Sequence, residues 1–194
     1  MVSSTSRRPW LVPGLAVAFG VLVGWGAHEL SFQDWRAIVP PIDRVPLLIR
    51  MDAKGDGRFG SPRSGNRSHR GVDLSAPIGT PVRAIRAGRV IATGIHRGLG
   101  RYVELEHRQN LRSLYAHLDV VSAEIDQRVR QGQTIGTIGK TGNARSPLIQ
   151  PHLHVEILRD STPIDPATLG LSMVESPKMP VRGAPMYGAA GGGE

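Results

Sequence analysis

Between residues 69 and 159 the chain has no apolar stripe of helical period as long as ten residues. Seven short apolar runs follow one another there instead: HRGVDLSA, TPVRAIRAG, RVIATGI, RYVELEH, LRSLYAHL, QTIGTIG and HLHVEIL, each bounded by Gly, Pro, Asn or Ser. In RYVELEH, Val103 and Leu105 alternate with Glu104 and Glu106, the two-residue period of a strand with one dry face and one wet face. Runs this closely spaced leave no room for the crossover helices that a parallel sheet requires. The expected fold is therefore mainly β, a compact antiparallel sheet domain.

The 194 residues suit one domain plus attachments. Residues 49–160 are read as the domain, with 49–68 mostly loop and Phe59-Gly60 closing a short strand. Residues 28–48 read as a stalk, with a turn of helix stopped by Pro40-Pro41. Residues 161–194, rich in Pro and Gly, read as a tail. Residues 10–27, WLVPGLAVAFGVLVGWGA, are eighteen residues without a charge, preceded by Arg7 and Arg8. That length approaches the roughly 20 residues needed to cross a bilayer, and the flanking arginines place residues 1–9 in the cytoplasm. The expectation is one N-terminal transmembrane helix, anchoring the chain in a bacterial inner membrane with the domain in the periplasm. Secretion after signal cleavage is the alternative.

Composition excludes several chemistries. With no Cys there is no disulfide framework, thiolate zinc site or cysteine nucleophile. No GxSxG elbow is present. The net charge of +8 is dispersed, mostly on Arg, and fits an anionic polymer without choosing one. Only Phe59, Tyr102 and Tyr115 are aromatic between residues 49 and 160, and none is interleaved with a basic cluster, so no nucleic-acid partner is expected.

The seven histidines carry more information by placement than by number. His69 and Asp73 are four apart and face one way on extended chain; His152 and His154 are two apart and share a strand face, while Leu153 and Val155 turn to the core. Tyr115 and His117 share a face by the same rule. A sulfur-free His/Asp set suits catalytic zinc, which takes three protein ligands and keeps a position open, and a further imidazole beside it can serve as general base. His28 and His96 read as solvated residues, and His107 as a hydrogen-bonding residue at a strand end. HxxxD or HxH alone has an equally ordinary explanation; their combination is far more specific.

RFGSPR, HRGVDLSAPIGTPVRAIRAGRV, RYVELEH, SLYAHLD, VRQGQTIGTIGKTGNAR and PHLHVEI together resemble the lysostaphin-type, LytM-like M23 zinc metalloendopeptidases, over roughly residues 57–159. The resemblance implies a duplicated-hybrid-motif-like antiparallel sheet with a groove over one Zn2+ per chain. It implies His69, Asp73 and His154 as metal ligands and His117 and His152 as catalytic residues, one helping to deprotonate water and the other serving the oxyanion or leaving amine. The implied substrate is a peptidoglycan stem peptide or cross-link; the alternative is a non-hydrolytic regulator or scaffold that activates another wall hydrolase. Two departures stand out. The segment NARSPLIQP before His152 is longer than the usual loop and should border the groove, and the part preceding the domain holds neither a long coiled coil nor a recognisable wall-binding module.

Overall fold

The computed structural model describes residue 34 and residues 37–177. The transmembrane or signal segment expected over residues 10–27, His28, and the end of the expected tail lie outside these residues. Among the described residues no helix is long and apolar enough to cross a membrane.

The N-terminal part of the described chain forms short strands: β1 (Leu47–Ile49), β2 (Met51–Asp52), β3 (Gly55–Asp56), β4 (Pro62–Arg63) and β5 (Arg67–Ser68). The seven runs then appear in order, with a short strand between the fifth and sixth. They are β6 (Gly71–Ser75), β7 (Pro81–Arg83), β8 (Gly88–His96), β9 (Gly100–His107), β10 (Leu111–Val121), β11 (Arg128–Val129), β12 (Thr134–Ile138) and β13 (His152–Arg159). β14 (Thr162–Ile164) and β15 (Met173–Glu175) complete the set. The only helical elements among the described residues are two 3-10 turns, Gly142–Arg145 and Pro166–Leu169.

Eleven strands form one sheet in the order β11-β8-β9-β10-β13-β6-β1-β15, with β12 paired to β10 and β7, and β14 to β13. Every pairing in it is antiparallel except β1 with β15. β9 shows why the sequence alternates: Val103 and Leu105 are fully buried, while Glu104 and Glu106 stay part-exposed on the other face. In the central strand β13 both faces are covered. Leu153, Val155 and Ile157 enter the hydrophobic core, and His152 and His154 are buried on the other side. β6 follows the same rule, with Val72 and Leu74 in the core and Asp73 opposite His154 in the ladder. Gly71 permits this pairing, because a Cβ there would lie 2.2 Å from the Val155 carbonyl oxygen.

The packed unit is wider than residues 49–160. Ile42 and Leu47, read as stalk, are core residues, and the Val39 amide bonds to the Ile85 carbonyl. At the other end β15 returns to pair with β1, so residues 161–177 are part of the sheet layer rather than a tail. The stretch 49–68, read mostly as loop, contains two small hairpins, β2–β3 and β4–β5, and Phe59-Gly60 forms a turn between them. Strands of two residues are too short to show a period of two, which is why no pattern announced them.

Candidate metal centre and groove

Three side chains from two neighbouring strands and the segment before them converge. His69 precedes β6, Asp73 lies on β6, and His154 lies directly opposite Asp73 on β13. His154 Nδ1 is 2.8 Å from Asp73 Oδ1 and 3.1 Å from His69 Nε2, and His69 Nε2 is 3.2 Å from Asp73 Oδ1. All three residues are buried. Ligands about 2.0–2.1 Å from a tetrahedral zinc lie roughly 3.3 Å from one another, so the triangle matches one face of such a site within a few tenths of an ångström. The donor set is also right: two nitrogens and one carboxylate, with no sulfur.

The second nitrogen of each imidazole is committed elsewhere, which fixes the tautomer. His69 Nδ1 donates to the Arg58 carbonyl at 2.8 Å, leaving the Nε2 lone pair for the centre. His154 Nε2 is 3.1 Å from Glu156 Oε1, leaving Nδ1. Asp73 is held through its other oxygen: Arg50 Nη2 donates to Oδ2 at 2.9 Å, and Arg63 Nη2 lies 3.5 Å away. Arg50 in turn pairs with Asp52 at 2.5 Å, and Asp52 accepts the Gln150 amide at 3.0 Å. The Gln150 carbonyl accepts His152 Nδ1 at 2.7 Å. One buried chain of polar contacts thus runs from Asp73 through Arg50 and Asp52 to His152.

His117 and His152 flank the triangle, their rings 4.8 Å apart in an edge-on arrangement. His117 Nδ1 donates to the Thr141 carbonyl at 2.9 Å, so both flanking rings present a free Nε2. The route by which His117 arrives differs from the expected alternation. Tyr115 enters the core, whereas His117 lines the groove, because the β9–β10 ladder slips between Tyr115 and Leu118 and His117 takes φ 64°. Such a bulge re-aims one side chain, and the positive φ is backbone strain held in place by the His117 amide bond to the Leu99 carbonyl. Gly142, at φ +61°, is required beside it: a Cβ would meet Gly100 N and Gly98 O at 2.3 Å.

Burial, with His152 and His154 nearby, lowers the His117 imidazole to about 3, and burial lowers His152 also. Both are neutral at physiological pH. For Asp73 burial works upward, but the contacts with the imidazoles of His154 and His69 prevail and hold the carboxyl well below the usual range. For His154 burial works downward, and the bonds to Asp73 and Glu156 overcome it, raising the imidazole to about 9. A bare triangle is therefore a proton site, and a divalent cation entering it displaces that proton.

The five histidine and aspartate positions singled out in the sequence all line one groove of about 770 Å3, whose walls include Asn143, Ala144 and Ile149 from the long segment before His152. His96 sits exposed on the groove lining. His107 lies away from it and is buried, bonded to the Ala87 carbonyl and Ser113 Oγ at a strand end. Sequence reasoning missed Glu156 and Arg50. Glu156 carried a readable signal, since it continues the alternation of His152 and His154. Arg50 carried none, being 23 residues from Asp73 in a stretch without pattern.

Residues 67–166 match the model of peptidase family M23. The chain is 35% identical over 146 residues to the peptidoglycan DD-endopeptidase ShyC of Vibrio cholerae, covering 74% of this chain and 33% of that protein. It is similar to a zinc containing peptidase from Vibrio cholerae, with TM-score 0.55 and 30% identity over 69% of this chain and 39% of that one. It is also similar to the catalytic domain of lysostaphin from Staphylococcus simulans, with TM-score 0.51 and 32% identity over 60% of this chain and 90% of that one. The chain thus spans about a third of the length of the curated relative.

Proposed function

The chain belongs to peptidase family M23, and from that premise we propose that it is a zinc-dependent endopeptidase hydrolysing peptide bonds in peptidoglycan stem peptides or cross-links. The observation that carries this reading is the buried triangle of His69, Asp73 and His154 with two further imidazoles, His117 and His152, turned towards the same groove. His69 Nε2, Asp73 Oδ1 and His154 Nδ1 would hold the ion. Bound zinc supplies Lewis-acid chemistry, polarising a peptide carbonyl and lowering the pKa of water towards about 7.

The chain's own residues do the rest. His117 and His152 are neutral, and each keeps Nε2 bare by donating Nδ1–H to a backbone carbonyl. One Nε2 takes the proton from the attacking water and, now as Nε2–H, hands it to the departing amine; the other ring can steady the developing oxyanion only in the form that carries a proton on Nε2. The backbone bonds to Thr141 and Gln150 prevent either ring from turning as the proton moves. Glu156 and Arg50 keep the ligand atoms aimed, through His154 Nε2 and Asp73 Oδ2.

The eighteen uncharged residues 10–27 behind Arg7 and Arg8 support an inner-membrane anchor with the packed domain in the periplasm, secretion after cleavage being the alternative. The test of the activity is digestion of purified peptidoglycan by the zinc-loaded protein, with and without chelator, followed by mass spectrometry. Muropeptides with newly freed amino and carboxyl ends, lost with chelator, are expected. Zinc binding without release of any muropeptide, together with stimulation of another wall hydrolase, would replace the enzyme reading with a regulatory one.

A further inference from the structure

The segments that line the groove differ in charge. Residues 54–70 contribute Lys54, Arg63, Arg67 and Arg70 to the lining, whereas residues 96–99 and 143–149 contribute no charged side chain apart from the ionisable His96. The only carboxylates in the lining are Asp73 and Glu156, and both are taken. Asp73 is bound by Arg50, His69 and His154; Glu156 is bound by His154, with Arg70 3.6 Å away.

Two of these cations are placed in a way that the fold alone would disfavour. Arg63 and Arg67 are directly opposite each other in the two-residue β4–β5 hairpin. Like charges at opposed positions destabilise a strand pair, and a hairpin of this length has little else to offset the repulsion. Neither arginine has a carboxylate of its own among the described residues. Arg63 lies 3.5 Å from Asp73 Oδ2, which Arg50 already holds at 2.9 Å, donates to the Pro62 carbonyl at 3.4 Å, and acts on Asp56 only through space. Arg67 donates Nε–H to the Ser64 carbonyl at 3.1 Å and is exposed. Two arginines at opposed positions of one hairpin, both in the lining of a groove whose only carboxylates are Asp73 and Glu156, fit a planar anion that accepts paired N–H bonds.

We propose that Arg63 and Arg67 form a carboxylate-binding subsite that selects peptides bearing a free carboxylate close to the bond to be cut. This deepens the peptidase reading and rests on it, since it takes the occupant of the groove to be a peptide. A carboxylate lying between the two guanidinium groups relieves their repulsion, so the subsite contributes affinity that an amide of the same shape cannot replace.

Calorimetric titration of the zinc-loaded full chain tests this, using an uncross-linked stem peptide with free carboxylates and the same peptide converted to its amides. The free form should bind about tenfold more tightly, as paired charge-assisted bonds at a partly solvated site imply. Arg67→Gln, an exposed change outside the metal triangle, should reduce that ratio below about threefold, and Arg67→Lys should restore part of it. Equal affinity of the wild-type chain for both forms, or an undiminished ratio in Arg67→Gln, would overturn the proposal. So would displacement of the peptide by an equal concentration of inorganic phosphate, which would make the pair a general anion site. Peptidoglycan digestion by the same preparations separates this outcome from the function: cleavage without preference removes only the subsite, and preference without cleavage removes only the hydrolytic role.

Discussion

Arg50→Met removes the one guanidinium that joins Asp52 and Asp73, and the consequence is calculable from burial. The Arg50 side chain is 6% exposed, and those of Asp52 and Asp73 are 5% and 6% exposed. Methionine fills much the same volume, so little cavity is created, and the loss is electrostatic. Asp52 keeps the amides of Lys54 and Gln150, but Asp73 keeps only the imidazoles on Oδ1 and the distant Arg63 on Oδ2. Removing one partner of a buried ion pair costs about 3–5 kcal/mol. For a domain of this size each kcal/mol is roughly 3 °C of Tm, so the metal-free variant should melt about 10 °C or more below the wild type. Zinc brings positive charge to the other side of Asp73, so the zinc-loaded variant should lose at most about half as much. Circular dichroism melts of both proteins, in chelator and in excess zinc, measure the four values. A metal-free loss below about 3 °C, or equal losses in the two conditions, would refute the argument that Arg50 neutralises a buried ligand carboxylate.

Three further outcomes follow from other parts of the structure. Glu156→Gln should weaken zinc binding by about ten- to a hundredfold with the fold intact, because it slackens the acceptor that orients His154 Nε2 at 3.1 Å; competition with a chelating dye measures this, and unchanged affinity would deny Glu156 that part. Tyr115→Phe should cost about 1–3 kcal/mol in urea unfolding, since the fully buried hydroxyl accepts the Ile85 amide at 2.9 Å and lies 2.9 Å from Ser113 Oγ; a variant as stable as the wild type would show that water takes over the bond. His107, pushed down in pKa by burial and then by the Arg86 charge, is neutral in the fold. Its contribution is complete above the unfolded value of about 6.5 and is lost as pH falls below it, because the unfolded chain binds the proton first. Urea midpoints at pH 7.5 and 5.5 should therefore fall further for wild type than for His107→Asn, and an identical fall would contradict this.

The parts of the molecule that could be read from sequence are those whose signal is local. Alternation in β9 and β13 is a two-residue pattern, so it fixed which of Val103, Glu104, Leu153 and His154 turn inward to the core. The same period puts His152 and His154 on one face. Contacts that depend on pairing between distant strands left no such trace. Asp73 faces His154 only because β6 and β13 run antiparallel in one register, and Arg50 reaches Asp73 from a strand two residues long. His117 was placed on the face of Tyr115 by alternation, and the bulge with φ 64° moved it to the groove. A bulge is decided by what the neighbouring strands demand, here the Leu99 carbonyl and the Thr141 turn, and not by the residues that bulge. The edges of the packed unit were missed for a related reason. Ile42 and Leu47 lie among prolines and charges, and become core residues through distant pairings: the chain around Ile42 bonds to Arg83 and Ile85, and Leu47 lies on β1 between β6 and β15 in the sheet.

The central claim is that His69, Asp73 and His154 hold a zinc ion while His117 and His152 act on the substrate. The zinc content of the purified protein tests it most directly, compared across wild type, His154→Ala and His117→Ala, with muropeptide release scored on the same samples. The account predicts one zinc per chain in the wild type, loss of the metal in His154→Ala, and retention of the metal without turnover in His117→Ala. A wild-type chain that binds no zinc, or a His154→Ala variant that keeps its metal, would contradict it.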